Sequence, residues 1–382
     1  MHHILFWSDA DLKRLIAACL AALLLIPVAY AEGSGGPPSL SAVSAILVDG
    51  ESGRVLYEKN AHEERAIASI TKLMTALVAV ESAASLEEEV TILPEWTGIE
   101  GSSIYLRAGE TVSLETLLYG LLLASGNDAA VAIAGYCAGS VDAFAARMNA
   151  KAAELGMEHT HFTNPNGLSE DGHYSTAYDM ALLARACSAN ETVAKIAATK
   201  SITLGTRTLT NHNKLLWRYE GCTGMKTGYT ELAGRTLVSS AQRDGQTLIA
   251  VTLCAPNDWA DHAALFDYGF EIFSTNVLCT AGKEFRNVPV QGGLVPFVPV
   301  ITKEEVRFPL AADETVRAQV TLPAGIEAPV TVEDVLGKLS FYQGNMLIGE
   351  TDLIAGTSVN REAVEGRRLP ERVHDWLEAN LT

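Results

Sequence analysis

The sequence predicts two domains, a mixed α/β (α+β) unit over residues 41–275 and a smaller all-β unit over 284–360. Three observations carry this expectation. From Ile70 the apolar residues Ile70, Leu73, Met74, Leu77 and Val78 fall at i, i+3, i+4, i+7 and i+8, one face of a helix. Runs with strand character stand near both ends of the first unit, at 44–48 and 55–58 and again at 200–209 and 237–253. Beyond 284 the chain changes to short β-type runs separated by polar turns. A chain of 382 residues has room for both units.

In chain order, Asp49-Gly50-Glu51-Ser52-Gly53 separates the first two strands and gives a hairpin signal. Residues 62–68 lead into the helix that opens with Ser69. A second, mostly apolar helix is expected at 114–124. It ends at Ser125-Gly126-Asn127-Asp128, and 129–138 resumes helical composition. Helices at 142–155 and 178–187 flank the loop Thr163-Asn164-Pro165-Asn166-Gly167. The strand runs 200–209 and 237–253 bracket Gly224-Met225-Lys226-Thr227-Gly228-Tyr229-Thr230, and a helix at 259–273 closes the unit. In the second unit, 288–290, 295–301, 316–322, 330–332 and 338–342 read as strands. The tail, 361–382, sets Val373, Trp376, Leu377 and Leu381 along one helical face. Its four arginines against five acids lack the basic face of a strong interfacial anchor, so peripheral membrane contact and packing on the β unit are both open.

The N-terminus reads as a secretory signal over 1–31. Lys13 and Arg14 precede an apolar run of about fifteen residues that Pro27 interrupts, and Ala29-Tyr30-Ala31 gives a small-x-small cleavage site. Cleavage after Ala31 leaves a Gly/Ser/Pro-rich linker at 32–40 and a protein working outside the cytoplasmic membrane. A formal net charge of −18 argues against nucleic acid and against electrostatic adhesion to an anionic membrane. Cys19 lies in the signal. Cys137, Cys187, Cys222, Cys254 and Cys279 are odd in number and not spaced as metal ligands, so buried thiols are expected. His159-x-His161 has ligand-like spacing without a further partner, so no metal is expected there.

The chemistry centres on Ser69-Ile70-Thr71-Lys72. Residues three apart share a helix face, so Lys72 can set its amine beside the Ser69 hydroxyl. A serine hydroxyl is a weak nucleophile until a base takes its proton, and a neutral lysine amine can do so. The helix N-terminus favours both an alkoxide and an unprotonated lysine. Bringing a lysine from about 10.4 to about 7–8 takes roughly 4 kcal/mol of environmental bias, within reach of burial and a second cation. Alone the tetrad is also what an N-cap serine followed by a surface lysine looks like. Two later stretches agree with the catalytic reading. Ser125-Gly126-Asn127 can project polar groups between helices, and Lys226-Thr227-Gly228 can line a cleft from a strand.

In this order the three motifs resemble the serine penicillin-binding protein and β-lactamase superfamily. Asn164-Pro165-Asn166-Gly167-Leu168, His173-Tyr174-Ser175-Thr176-Ala177-Tyr178-Asp179 and Asn211-His212-Asn213-Lys214-Leu215-Leu216 resemble D-alanyl-D-alanine carboxypeptidases more narrowly. The resemblance spans about 40–275. It implies a serine β-lactamase/transpeptidase-like domain, an antiparallel sheet flanked by helices, with a β-rich domain after it. It also implies that Ser69 attacks the carbonyl between the terminal D-alanines of a peptidoglycan stem peptide and forms an acyl-enzyme that water hydrolyses. Lys72 would be the base. Ser125 would relay a proton to the leaving amine, helped by Lys226. Asn127 would orient the substrate and hold Lys72, and Thr227 would bind the terminal carboxylate. The N–H groups of Ser69 and Tyr229 would form the oxyanion hole beside Gly228. β-Lactams would acylate Ser69, and no cofactor is implied.

One departure stands out. Family members often carry a carboxylate-binding arginine after the strand ending near Leu253, and 256–262 holds none. A class A β-lactamase would need a loop Glu-x-x-Leu-Asn, which is absent between Ser125 and Lys226. An endopeptidase, a transpeptidase and a non-catalytic scaffold on the same fold remain open at the level of sequence.

Overall fold

The computed structural model describes residues 36–362. The expected signal peptide, the opening of the linker and the tail beyond 362 lie outside the described residues. Strand β1 (Ser44–Asp49) is buried at all six positions because it has a core on each face. Its side chains alternate, Ile46 and Val48 entering one apolar cluster and Ala45 and Leu47 another. Strand β2 (Val55–Lys59) returns antiparallel to it through the expected hairpin.

A single 3-10 turn, Ala68–Thr71, precedes helix α1 (Lys72–Ser82). Ser69 therefore lies in a tighter turn just before the α-helix rather than inside its first turn. Eight of the eleven α1 residues are buried, so the helix is enclosed on most sides instead of along one stripe. Small residues, Thr75, Ala76 and Ala79, fill the sides that the apolar period leaves and let neighbouring helices approach.

A short ribbon, β3 (Glu89–Thr91) and β4 (Thr111–Ser113), leads into α2 (Leu114–Leu122) and α3 (Asn127–Ala138). Helix α3 begins at Asn127, two residues earlier than the composition indicated. Helices α4 (Val141–Glu154), α5 (Ala177–Ala189) and α6 (Glu191–Ala198) complete the cluster around α1. Ser113, Ser140, Thr176 and Asn190 cap α2, α4, α5 and α6, each accepting from the amide three residues on, worth about 1 kcal/mol apiece.

The run 200–209 is not one strand. Gly205, at φ +57°, turns it into a separate hairpin of β5 (Ser201–Leu204) and β6 (Arg207–Thr210). After the short α7 (Leu215–Arg218), strands β7 (Cys222–Thr230), β8 (Gly234–Arg243) and β9 (Gln246–Leu253) form a meander. The antiparallel sheet runs β2-β1-β9-β8-β7. Helices α1–α6 cover one face, and α8 (Asp258–Ile272) covers the other through Leu265 and Phe266.

Strand β10 (Phe273–Cys279) follows α8 without a break, so β structure starts before residue 284. It pairs with β13 (Val306–Ala311), which comes after β11 (Glu284–Gln291) and β12 (Phe297–Thr302). With β14 (Arg317–Thr321), β15 (Ile326–Glu327), β16 (Val335–Gln343) and β17 (Met346–Ala355), the second sheet has the order β14-β16-β17-β12-β11-β15. The expected strand at 330–332 is only a bridge between Val330 and Val359. Strand β17 gave no clear signal because Gly349, Glu350 and Asp352 interrupt its apolar run, and its pairing with β16 supplies the order.

Arg54, at the edge of the first hairpin, joins the first sheet to the β10–β13 pair. Its guanidinium donates to Glu314 and to the carbonyl of Pro309, and lies over the rings of Phe273 and Phe308 at 5.1 and 5.2 Å. This pairing holds the Glu314 carboxyl down to about 2. The contact is thus complete above the ordinary value of 4.5 and lost as pH falls through about 2. Arg54→Met is expected to weaken it by about 2 kcal/mol. Amide exchange should then speed up in β10 and β13 but not in α1, and unchanged protection of β10 and β13 would refute the link.

Candidate active site

Ser69, Lys72, Ser125, Asn127, Lys226, Thr227, Gly228 and Tyr229 come from three separate segments, and the fold brings them to one place. Ser69, Ser125, Thr227, Gly228 and Tyr229 line a cleft of about 350 Å³ between the helical cluster and β7. Lys72 and Asn127 lie beneath its floor, with Lys226 close behind. A second cavity of about 370 Å³ behind β7, lined by Cys187, Val193 and Met225, takes in none of the eight residues.

Lys72 is fully buried, and its amine has three partners. Ser69 Oγ is 2.8 Å from Nζ, Asn127 Oδ1 is 2.7 Å away, and the carbonyl of Asn166 is 2.5 Å away. The Asn127 amide is oriented by its own Nδ2, which donates to the carbonyl of Glu100 at 2.5 Å. Two of the three Lys72 partners can therefore only accept. A neutral amine has two hydrogens for these acceptors and one lone pair left over, which faces the Ser69 hydroxyl. The arrangement suits an amine that accepts the serine proton. Burial, then the charge of Lys226, pushes the Lys72 pKa well below its ordinary value, while Asp128 opposes the shift.

Lys226 projects from β7 with its amine 2.7 Å from the carbonyl of Thr227, and burial lowers its pKa to about 7. Ser125 occupies a left-handed turn at φ +60° between α2 and α3, which exposes its hydroxyl to the cleft. Gly228 is there for close approach. A Cβ at that position would lie 2.9 Å from the Ser69 nitrogen and 2.4 Å from Thr236 Oγ1. The sequence pointed to room for a ligand's backbone, whereas it is the nucleophile's own turn that packs against this glycine.

Sequence reasoning missed three contributors. The carbonyls of Asn166 and Glu100 leave no residue-type signal. Arg235 enters through strand register, lying directly across β7–β8 from Tyr229. Its guanidinium lines the cleft 2.8 Å from Asp258 Oδ2 and sits over the Trp259 ring at 5.6 Å. Asp258 is buried at 2%, while Arg235 is 42% exposed. The segment after Leu253 therefore lacks an arginine but holds the two side chains that steady one from the neighbouring strand. His159 faces Glu64 and His161 meets the carbonyl of Gly172, so the two side chains have different partners.

The family model for D-alanyl-D-alanine carboxypeptidase matches residues 32–257, and that for the C-terminal domain of penicillin-binding protein 5 matches 273–361. The chain belongs to the D-alanyl-D-alanine carboxypeptidase family. It is a serine peptidase, a hydrolase of that family. It is 33% identical to D-alanyl-D-alanine carboxypeptidase DacF of Bacillus subtilis over 365 residues, 90% of this chain and 94% of the relative. It is also 33% identical to DacA of Escherichia coli, over 91% of this chain and 92% of the relative. Penicillin-binding protein 5 of Haemophilus influenzae shares the fold with a TM-score of 0.74 at 30% identity, covering 85% of this chain and 99% of the neighbour. PBP3 of Streptococcus pneumoniae gives 0.75 at 27%, covering 85% and 100%.

The two lysines set the expected pH response. The rate of Ser69 acylation by a β-lactam should fall as pH rises through about 7, where Lys226 loses its proton. Lys226→Arg, whose guanidinium stays charged, should remove that limb even with a lower plateau. An alkaline limb that persists near 7 in the arginine variant would assign it to another group.

Proposed function

We propose that this protein is a serine-type D-alanyl-D-alanine carboxypeptidase that trims peptidoglycan stem peptides and is acylated by β-lactams. The observation that carries the reading is the Lys72 amine, 2.8 Å from Ser69 Oγ and committed to two carbonyl acceptors on its other sides. Lys72 takes the Ser69 proton as Oγ attacks the carbonyl between the terminal D-alanines. The N–H groups of Ser69 and Tyr229 receive the developing oxyanion, donors of a kind whose loss costs about 2.7–4 kcal/mol. Ser125 passes the proton to the departing D-alanine amine with help from Lys226, and water then releases the shortened peptide from Ser69. Asn127 orients both Lys72 and the substrate amide.

The free carboxylate of the substrate needs a dependable cation. A lysine at about 7 is only partly charged at neutral pH, whereas an arginine stays charged throughout. Arg235 meets that need together with the Thr227 hydroxyl, because Asp258 and Trp259 hold it at the cleft while leaving it 42% exposed. The substrate class places the work outside the cytoplasmic membrane, consistent with the signal peptide expected over 1–31. No metal or other cofactor takes part in this scheme.

Labelled penicillin with peptide mapping, run beside D-alanine release from a pentapeptide, tests the reading. Label on Ser69 with release of D-alanine is expected, and Ser69→Ala should abolish both. Label without release would point to an endopeptidase or transpeptidase, and no label would sink the site.

Arg235→Gln, paired with Asp258→Asn so that no buried carboxylate is stranded, should raise KM for a peptide with a free terminal carboxylate. The expected rise is about 10–100-fold. A peptide ending in an amide should be turned over equally by parent and variant. Equal losses on both substrates would remove Arg235 from carboxylate recognition.

A further inference from the structure

The turn that carries Ser69 contains a backbone conformation that its residue does not favour. Ala68, just before the nucleophile, has φ +51°, a left-handed value usually left to glycine. Something must hold it there, and a chain of hydrogen bonds ends on its carbonyl. Thr71 Oγ1 donates to that carbonyl at 2.8 Å. His173 Nε2 lies 2.8 Å from the same hydroxyl, and His173 Nδ1 lies 3.1 Å from the backbone nitrogen of Thr163.

The direction of the chain follows from its far end. A backbone amide can only donate, so Nδ1 accepts and the ring proton sits on Nε2. Nε2 then donates to Thr71 Oγ1, leaving the threonine hydrogen for the Ala68 carbonyl. The Thr163 hydroxyl, 3.2 Å from Nδ1, gives its hydrogen to Glu170 Oε2 at 2.9 Å, so the backbone amide of Thr163 is the donor to Nδ1. Burial keeps His173 neutral, with its pKa lowered to about 4 despite the opposing charge of Glu170. Neither His173 nor Thr71 lines the cleft.

The loop that His173 closes touches both the turn that precedes the nucleophile and the base. The Asn166 carbonyl accepts from Lys72 Nζ, and the Pro165 carbonyl accepts from Thr75 Oγ1 at 2.6 Å. Gly167 packs so tightly that a Cβ there would fall 2.0 Å from the Ala68 oxygen.

We propose that His173 is a positioning residue that, through Thr71, locks Ala68 in its left-handed conformation and so aims Ser69 at the acyl carbon. The inference rests on Ser69 being the nucleophile. It predicts an effect on the covalent step and none on the binding that precedes it.

The test is stopped-flow acylation by a fluorescent penicillin, which separates pre-covalent affinity from the acylation rate constant. Thr71→Val and His173→Leu are expected to lower the rate constant roughly ten- to a hundredfold with affinity unchanged. Thr71→Ser restores the hydroxyl, and His173→Gln can both accept from Thr163 and donate to Thr71. Both should stay within about threefold of the parent, as conservative replacements of the same bonds. A double variant, Ala68→Gly with Thr71→Val, should recover most of the rate, since glycine needs no brace at positive φ.

A folded Thr71→Val protein that acylates at the parental rate would overturn the proposal. So would a uniform loss that neither Thr71→Ser nor Ala68→Gly relieves, because that is the mark of general destabilisation. If Thr71→Val and His173→Leu fail to fold, Thr71→Ser and His173→Gln decide: parental rates support the brace, and a tenfold loss in either overturns it. A parent chain that is not labelled at Ser69 would instead refute the nucleophile assignment itself.

Discussion

The buried amine of Lys72 governs how the other groups of the site are arranged. An ammonium group taken out of water is costly unless every hydrogen finds an acceptor, and its charge is resisted further by a second cation nearby. Here Lys226 supplies that resistance, and the carbonyls of Asn127 and Asn166 supply acceptors for the neutral form. In the neutral form the same arrangement leaves a lone pair facing Ser69. Stability and reactivity therefore have one origin. Asn127 can serve only because Glu100 fixes its amide, and Asn166 only because the 163–173 loop is folded against α1.

Around this centre the sheet acts as a wall that must come very close. Strand β7 reaches the Ser69 turn because residue 228 has no side chain, and β8 is tied to the same region by Thr236 Oγ1, which donates to the Ile67 carbonyl at 2.9 Å. A sheet pressed against a helical cluster on one face and α8 on the other has little freedom to move away. That double packing is also why β1 and β9 read as continuous apolar runs rather than alternating ones.

Much of this was legible from residue types and periods. The helix behind Ser69 showed because its apolar spacing is local, and the order of Ser69, Ser125 and Lys226 gave a coherent chemistry before any distance was known. Less visible were features that depend on pairing. The run 200–209 looked like one strand although Gly205 folds it back on itself, and β17 was hidden by the polar residues its partner strand tolerates. Helix α6 went unread because only Asn190 separates it from α5, and that asparagine acts as a cap rather than a stop.

Residue types and their short spacings set which groups are available: a nucleophile three residues from an amine, a serine with an asparagine, and a lysine and threonine followed by a glycine. Local periodicity and short-range spacing carry that information, because they are settled within one or two turns of chain. How those groups are charged and aimed is settled by packing between distant segments. The Lys72 acceptors are backbone or distant amides, Arg235 enters the cleft through the cross-strand register with Tyr229, and Ala68 is held by a histidine 105 positions away. Burial, register and backbone acceptors arise from contacts between segments far apart in the chain, and no residue type announces them in advance.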